Sequence, residues 1–174
     1  MKPPIKAGSP FDFQTPPRAL DPLFPFLPKD WTIWECACGA GNLSKAFSKK
    51  GYSVIATDIL TGHDFLMYEP EEKYHAIITN PPYDIKENFL ERAYMLNKPF
   101  AFLLPFSTFE TTRRQEMFKK HGVEVIIFDK RLNFELPADK FDVAKESKSW
   151  FSTAWFTYGL NIGKQLTFVK YAKK

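Results

Sequence analysis

Between Thr32 and Phe128 short apolar runs alternate with longer amphipathic stretches, a rhythm that predicts alternating strands and helices. Thr32-Ile-Trp-Glu-Cys-Ala37 reads as a first strand, Gly39-Ala-Gly41 as a tight turn, and residues 42–50 as a helix stopped at Gly51. Residues 53–57 form a second predicted strand, ending at Asp58. Further strands are predicted over 76–79, 101–104 and 123–128, with helices over 85–96 and 108–121, the second stopped at Gly122. Uniformly apolar runs separated by helices are what a parallel sheet covered on both faces requires. Two last apolar runs, 151–158 and 165–172, flank Gly159-Leu-Asn-Ile-Gly163 and read as a hairpin with at least one antiparallel strand. The predicted fold is therefore α/β: a mostly parallel central sheet, helices on both faces and a C-terminal antiparallel hairpin.

Two segments break the rhythm. Eight of the 14 prolines lie in the first 30 residues, which makes residues 1–30 an extended or turn-rich lead-in with a short helix around 19–26. Residues 129–149 are charged and aperiodic and read as a long loop. The whole chain has 174 residues, and the remainder, 31–174, suits one domain.

Composition narrows the class. With 44% hydrophobic residues there is material for a packed core. Two cysteines one residue apart, Cys36 and Cys38, cannot make a disulfide scaffold, and a reduced, cytoplasmic setting is expected. No apolar run approaches the roughly 18 residues of a membrane span, so no membrane partner is expected. Zinc favours four ligands at wider spacing, and no metal is expected. The net charge of +4 is unevenly placed: residues 111–174 carry 13 bases and 7 acids, which leaves room for a phosphate-bearing partner there.

The turn between the first strand and helix, Glu35-Cys-Ala-Cys-Gly39-Ala-Gly41, stands at the carboxyl end of a strand, where α/β sheets bind ligands. Asp58, 17 residues beyond Gly41, is placed to accept the hydroxyl protons of a ribose, and Ile59 offers an apolar face to a purine. Position 44 is Ser where a dinucleotide fingerprint carries Gly, so a nucleoside cofactor without pyrophosphate fits better. Asn80-Pro81-Pro82-Tyr83 follows the third strand. Its prolines hold the backbone extended, so the Asn80 side-chain oxygen and the Pro81 carbonyl can grip both protons of one planar NH2 group, with Tyr83 as a stacking surface. Two acceptors drawing on those protons favour a pyramidal nitrogen whose lone pair can attack a sulfonium methyl. Holding the amine in line supplies much of the rate without a metal or strong base.

These residues carry a resemblance. Glu35-x-x-x-Gly39-x-Gly41, Asp58-Ile59, His63-Asp64-Phe65 and Asn80-Pro-Pro-Tyr83, preceded by Thr15-Pro16-Pro17, resemble the ordered motifs of S-adenosylmethionine-dependent N6-adenine DNA amino-methyltransferases, of the type with the cofactor block ahead of the catalytic block. The resemblance implies a Rossmann-like fold and S-adenosylmethionine as cofactor. It assigns Thr15 to the cofactor's carboxylate, and Glu35, Ala37, Gly39 and Gly41 to the turn around its methionine part. Asp58 and Ile59 go to ribose and adenine, Asp64 and Phe65 to the adenine amine and ring. Asn80, Pro81, Pro82 and Tyr83 would hold the target amine, and Phe134 in Arg131-Leu-Asn-Phe134 would clamp the flipped base from its other face.

No separate target-recognition domain is apparent, so sequence preference would come from residues 129–149, from a partner chain, or be weak. Lys130, Arg131, Lys140, Lys145 and Lys148 are candidate phosphate contacts in that loop, which also carries five acids. The same grip would serve adenine N6 in RNA, cytosine N4 or the amide of a protein glutamine. A non-catalytic cofactor- or nucleic-acid-binding subunit is the reading from another class. The pairs Arg113-Arg114 and Lys119-Lys120 are expected on the wet face of their helix.

Overall fold

The computed structural model describes residues 14–135, the backbone of 147–148, and 151–171. In chain order the elements are β1 (Thr32–Glu35), α1 (Asn42–Lys49), β2 (Ser53–Ala56), β3 (Ala76–Thr79), α2 (Lys86–Leu96), β4 (Phe100–Pro105), α3 (Thr112–His121), β5 (Glu124–Phe128), β6 (Asn133–Phe134), β7 (Ser147–Lys148), β8 (Thr153–Tyr158) and β9 (Leu166–Val169). Seven of the strands form one sheet in the order β2-β1-β3-β4-β8-β5-β9. The pairs from β2 through β4 are parallel, and β8 runs antiparallel between β4 and β5.

The central strands are the most apolar. All four residues of β3 and all six of β4 are buried, which is why their sequences show no alternation: both faces are covered. On one face Ile33, Ile78, Ala101 and Trp155 pack under α1 and the lead-in residues Ala19, Leu20, Leu23 and Leu27. On the other, Trp34, Ile77, Phe102, Leu104 and Phe156 pack under Phe89, Leu90 and Ala93 of α2 and Phe118 of α3. The lead-in is thus part of the core, and Trp155 Nε1 donates to the Ala19 carbonyl at 2.6 Å. Its expected short helix is two 3-10 turns, Pro17–Leu20 and Phe24–Phe26, each with a proline that limits further winding. None of the described helices is long and apolar enough to cross a membrane.

Three differences from the sequence reading have physical causes. The C-terminal runs are strands, but they do not pair as a hairpin: β8 lies inside the sheet, and β9 pairs parallel with the far side of β5. The link between them is anchored by Glu124, whose carboxylate accepts the Ile162 and Gly163 amides at 3.1 and 2.9 Å, so the chain crosses the end of β5 before returning. α3 begins at Thr112, because Thr111 caps it by accepting the Arg114 amide, while residues Phe106–Glu110 form a 3-10 turn. Within the expected long loop, β6 and β7 pair antiparallel, Asn133 with Lys148 and Phe134 with Ser147. Lys140 and Lys145 lie outside the described residues.

Candidate active site at the carboxyl edge of the sheet

β1, β3 and β4 are parallel, so the segments that leave their carboxyl ends meet along one edge. After β1 the chain turns through Gly39 (φ +50°) and Gly41 (φ +82°), left-handed conformations that glycine adopts without steric cost. The turn is closed by Gly41 N donating to the Cys38 carbonyl at 2.7 Å. The Asp58 carboxylate, buried at the end of β2, accepts the Gly39 amide at 2.9 Å and the Leu60 amide at 2.9 Å. It therefore ties the ends of β1 and β2 together, while Ile59 beside it is 57% exposed. The Thr79 hydroxyl donates to the Ala37 carbonyl at 3.4 Å and links the same turn to β3.

Glu35 lies buried beneath this turn, where Ser44 Oγ donates to its Oε2. Burial pushes the Glu35 carboxyl up to about 8, with the Ser44 bond opposing and the Asp58 charge adding to the rise. The serine at position 44 thus serves the acid below the turn. Burial, with the Glu35 and Asp58 charges, also raises the Cys38 thiol to about 11, which keeps it protonated at neutral pH.

The lead-in reaches the turn as well. Gln14 pairs with Glu135 by two backbone bonds of 2.8 Å, and its Oε1 accepts the Ala40 amide at 3.2 Å. A Cβ on Gly39 would come within 3.0 Å of Gln14 Nε2. Thr15 is buried next to it. The sequence reading does not include Gln14, because no spacing rule connects this glutamine with a turn 25 residues away.

Asp64 accepts the Leu66 amide at 3.0 Å through Oδ1 and is half-buried. Phe65 is enclosed, 5.2 Å from the Trp34 ring and 4.7 Å from Phe89, so its ring is a core contact rather than an open stacking face.

The Asn80–Tyr83 segment leaves β3 with Pro81 buried and Pro82 half-buried. Asn80 Oδ1 and Tyr83 Oη are both buried without a hydrogen-bond partner among the described residues. Burial pushes the Tyr83 phenol far above its usual range, and the Asn80 side chain, beside it but outside hydrogen-bond geometry, offsets this only in part. Lys86 Nζ donates to the Tyr83 carbonyl at 2.8 Å, and burial, then the Arg114 charge, lowers its pKa.

Arg114 corrects the reading of its helix: it is only 8% exposed. Its Nε donates to the Thr108 carbonyl at 2.7 Å, its Nη2 to the Ser107 carbonyl at 3.2 Å, and its Nη1 to Glu87 at 3.2 Å. The guanidinium therefore fastens the turn after β4 to the first turn of α2, which carries Lys86. Its neighbour Arg113 is exposed and pairs with Glu87 and Glu91.

The structure does not bring Phe134 to Tyr83. Phe134 is buried in the core on the α1 side of the sheet. The ring beside Tyr83 is Phe151, 5.5 Å away at 74° and 43% exposed. It lies just before β8, whose antiparallel course starts at the edge where β4 ends, with Pro105 opposite Thr153. Phe151 opens the apolar run 151–158, and that pattern gives no signal of its placement beside Tyr83.

No known family profile and no curated protein matches the sequence. Solved structures do resemble this one. The modification subunit of a putative type I restriction enzyme from Vibrio vulnificus YJ016 aligns over 97% of this chain and 49% of its own, with a TM-score of 0.55 and 12% identity. The 23S rRNA methyltransferase ErmE aligns over 81% of this chain and 66% of its own, with a TM-score of 0.51 and 14% identity. This chain thus spans about half the length of the first. With the topology above, the likeness establishes a Rossmann-like methyltransferase fold.

Proposed function

We propose that this chain transfers a methyl group from S-adenosylmethionine to the exocyclic N6 amine of adenine in DNA. The observation that carries the reading is the buried Asn80 Oδ1 at the carboxyl end of β3, unpartnered among the described residues. An amide oxygen left without a donor costs about 1–3 kcal/mol, and a ligand NH2 group removes that cost. The Pro81 carbonyl is the second acceptor and Tyr83, with Phe151 against it, the stacking surface.

The residues of the neighbouring turn fit the cofactor. Asp58 would hold its ribose, Ile59 its adenine, Asp64 the adenine amine, and Glu35 and the Gly39–Gly41 turn its methionine part. When bound, the cofactor supplies a methyl group on a cationic sulfur that leaves as a neutral thioether. Asn80 and Pro81 orient the amine and polarise its N–H bonds, Tyr83 stacks the base that has left its helix, and Lys86 holds the Tyr83 carbonyl so that the corner keeps its shape. The amine's lost proton passes to solvent.

The fold relative from Vibrio is a modification subunit, and a partner chain that supplies target recognition belongs to the proposal. The purified protein is incubated with methyl-labelled cofactor and, in parallel, with adenine-containing DNA, RNA, or a protein pool, and the products are digested. Label in N6-methyldeoxyadenosine is the expected result. Label confined to ribonucleosides or glutamine overturns the DNA assignment, and cofactor binding without transfer to any arm supports a non-catalytic subunit.

A further inference from the structure

The carboxyl edge extends past Phe151. β5 and β4 both run antiparallel to β8, and β9 runs parallel to β5, so the last residues of β5 and β9 share the edge that carries Asn80. Lys130 and Arg131 follow β5 there, Lys170 follows β9, and all three are exposed. Among the described residues none of them forms an ion pair. The adjacent Asp129 carboxylate already accepts the Tyr171 amide at 2.8 Å.

β9 adds a second feature. Leu166 and Phe168 stand in register with Val125 and Ile127, on the face that α2 and α3 cover elsewhere. Neither is covered: they are 48% and 75% exposed. A solvent-facing ring on an edge strand, flanked by cations, fits an unpaired nucleotide stretch, whose phosphates meet the cations and whose bases have free faces for stacking. A duplex offers no such face. A second copy of this chain, paired antiparallel along β9 about Thr167, would set Lys164 directly against Lys170, a like-charge pair that disfavours it.

Resting on the proposed nucleic-acid substrate, we infer that the corner formed by Lys130, Arg131, Lys170 and Phe168 binds a single-stranded segment flanking the target base. β9 lies four strand spacings from β3, about 19 Å at ~4.8 Å each. At ~3.4 Å per stacked nucleotide, and roughly twice that when stretched, the corner meets nucleotides about three to six positions from the target.

The test is fluorescence anisotropy of the full chain with labelled single strands that carry one adenine and flanks of two or six nucleotides on either side. Affinity should rise about tenfold or more when one flank, and not the other, is lengthened. Phe168→Ala, at a site too exposed to unfold the chain and checked by an unchanged melting curve, should abolish that gain. Replacing Lys130, Arg131 and Lys170 together by alanine should reduce the slope of log affinity against log salt by about 2, at ~0.7 per phosphate on single strands. Equal binding of short and long flanks, variants indistinguishable from wild type, or a duplex bound as tightly with the same dependence on Phe168 overturns the inference. So does sedimentation that shows a dimer dissolved by Phe168→Asp. Methyl transfer to the same strands is followed in parallel. Its absence in the wild type counts against the proposed function, whereas transfer by a wild type whose binding ignores Phe168 and the three cations overturns the docking corner alone.

Discussion

Replacing Glu35 by Gln should remove a pH dependence of stability that the fold builds in. Burial beneath the Gly39–Gly41 turn raises this carboxyl from an ordinary 4.5 to about 8, so between those values the folded chain holds a proton that the unfolded chain has lost. The folded state is then favoured fully below pH 4.5, and that contribution is lost as pH rises through 8. At about 1.4 kcal/mol per pH unit, the loss across the window is on the order of 5 kcal/mol, a large share of a total stability of about 5–15 kcal/mol. Gln stays neutral and still accepts the Ser44 hydroxyl, so Glu35→Gln should show little of this slope and become the more stable protein near pH 8. Urea unfolding of both proteins at pH 5, 6, 7 and 8 measures it. The difference between the two curves isolates position 35 from every other group, since the two proteins share all of them. Curves that run parallel from pH 5 to 8 would refute the burial argument.

Other outcomes follow from named contacts. Arg114→Ala leaves the Thr108 and Ser107 carbonyls without their donor and Glu87 with Arg113 alone. It should cost about 3 kcal/mol and lower the melting temperature by roughly 6–12 °C, and a shift under 2 °C would mean the guanidinium is dispensable. Asp58→Ala should weaken cofactor binding at least about tenfold by calorimetry, with near-ultraviolet dichroism retained, and an unchanged affinity would remove Asp58 from the cofactor site. Gly39→Ala forces a left-handed conformation at a cost of about 1–2 kcal/mol and crowds Gln14. Gly39→Ala with Gln14→Ala should recover part of any loss in cofactor affinity, and strict additivity of the two changes would break that link.

What the sequence disclosed follows from how each feature is encoded. β3 and β4 are buried on both faces, so their apolar runs are visible without any partner. The Asn80–Tyr83 corner is equally local, because its prolines fix its geometry. Arg114 was misread because its burial depends on Glu87, 27 residues away, and on carbonyls of a 3-10 turn that the pattern did not predict. The hairpin was misread because Gly159 and Gly163 mark a turn but not its span, and only the bonds from Glu124 show that the link passes β5. Phe134 stands in a charged stretch and Phe151 opens an apolar run, and neither pattern says which ring meets Tyr83. Their difference arises from which face of the sheet each segment reaches, which is set by the antiparallel insertion of β8.

The central claim, that Asn80 grips the reacting amine while the neighbouring turn holds the methyl donor, is tested most directly by comparing wild type with Asn80→Ala in two measurements on the same preparations. Calorimetry should give cofactor affinities within about twofold of each other, and single-turnover methylation of an adenine-containing strand should fall by about a hundredfold or more in the variant, because the lost contact acts on the amine in the transition state. Turnover retained in Asn80→Ala, or cofactor affinity lost in step with it, would contradict the account.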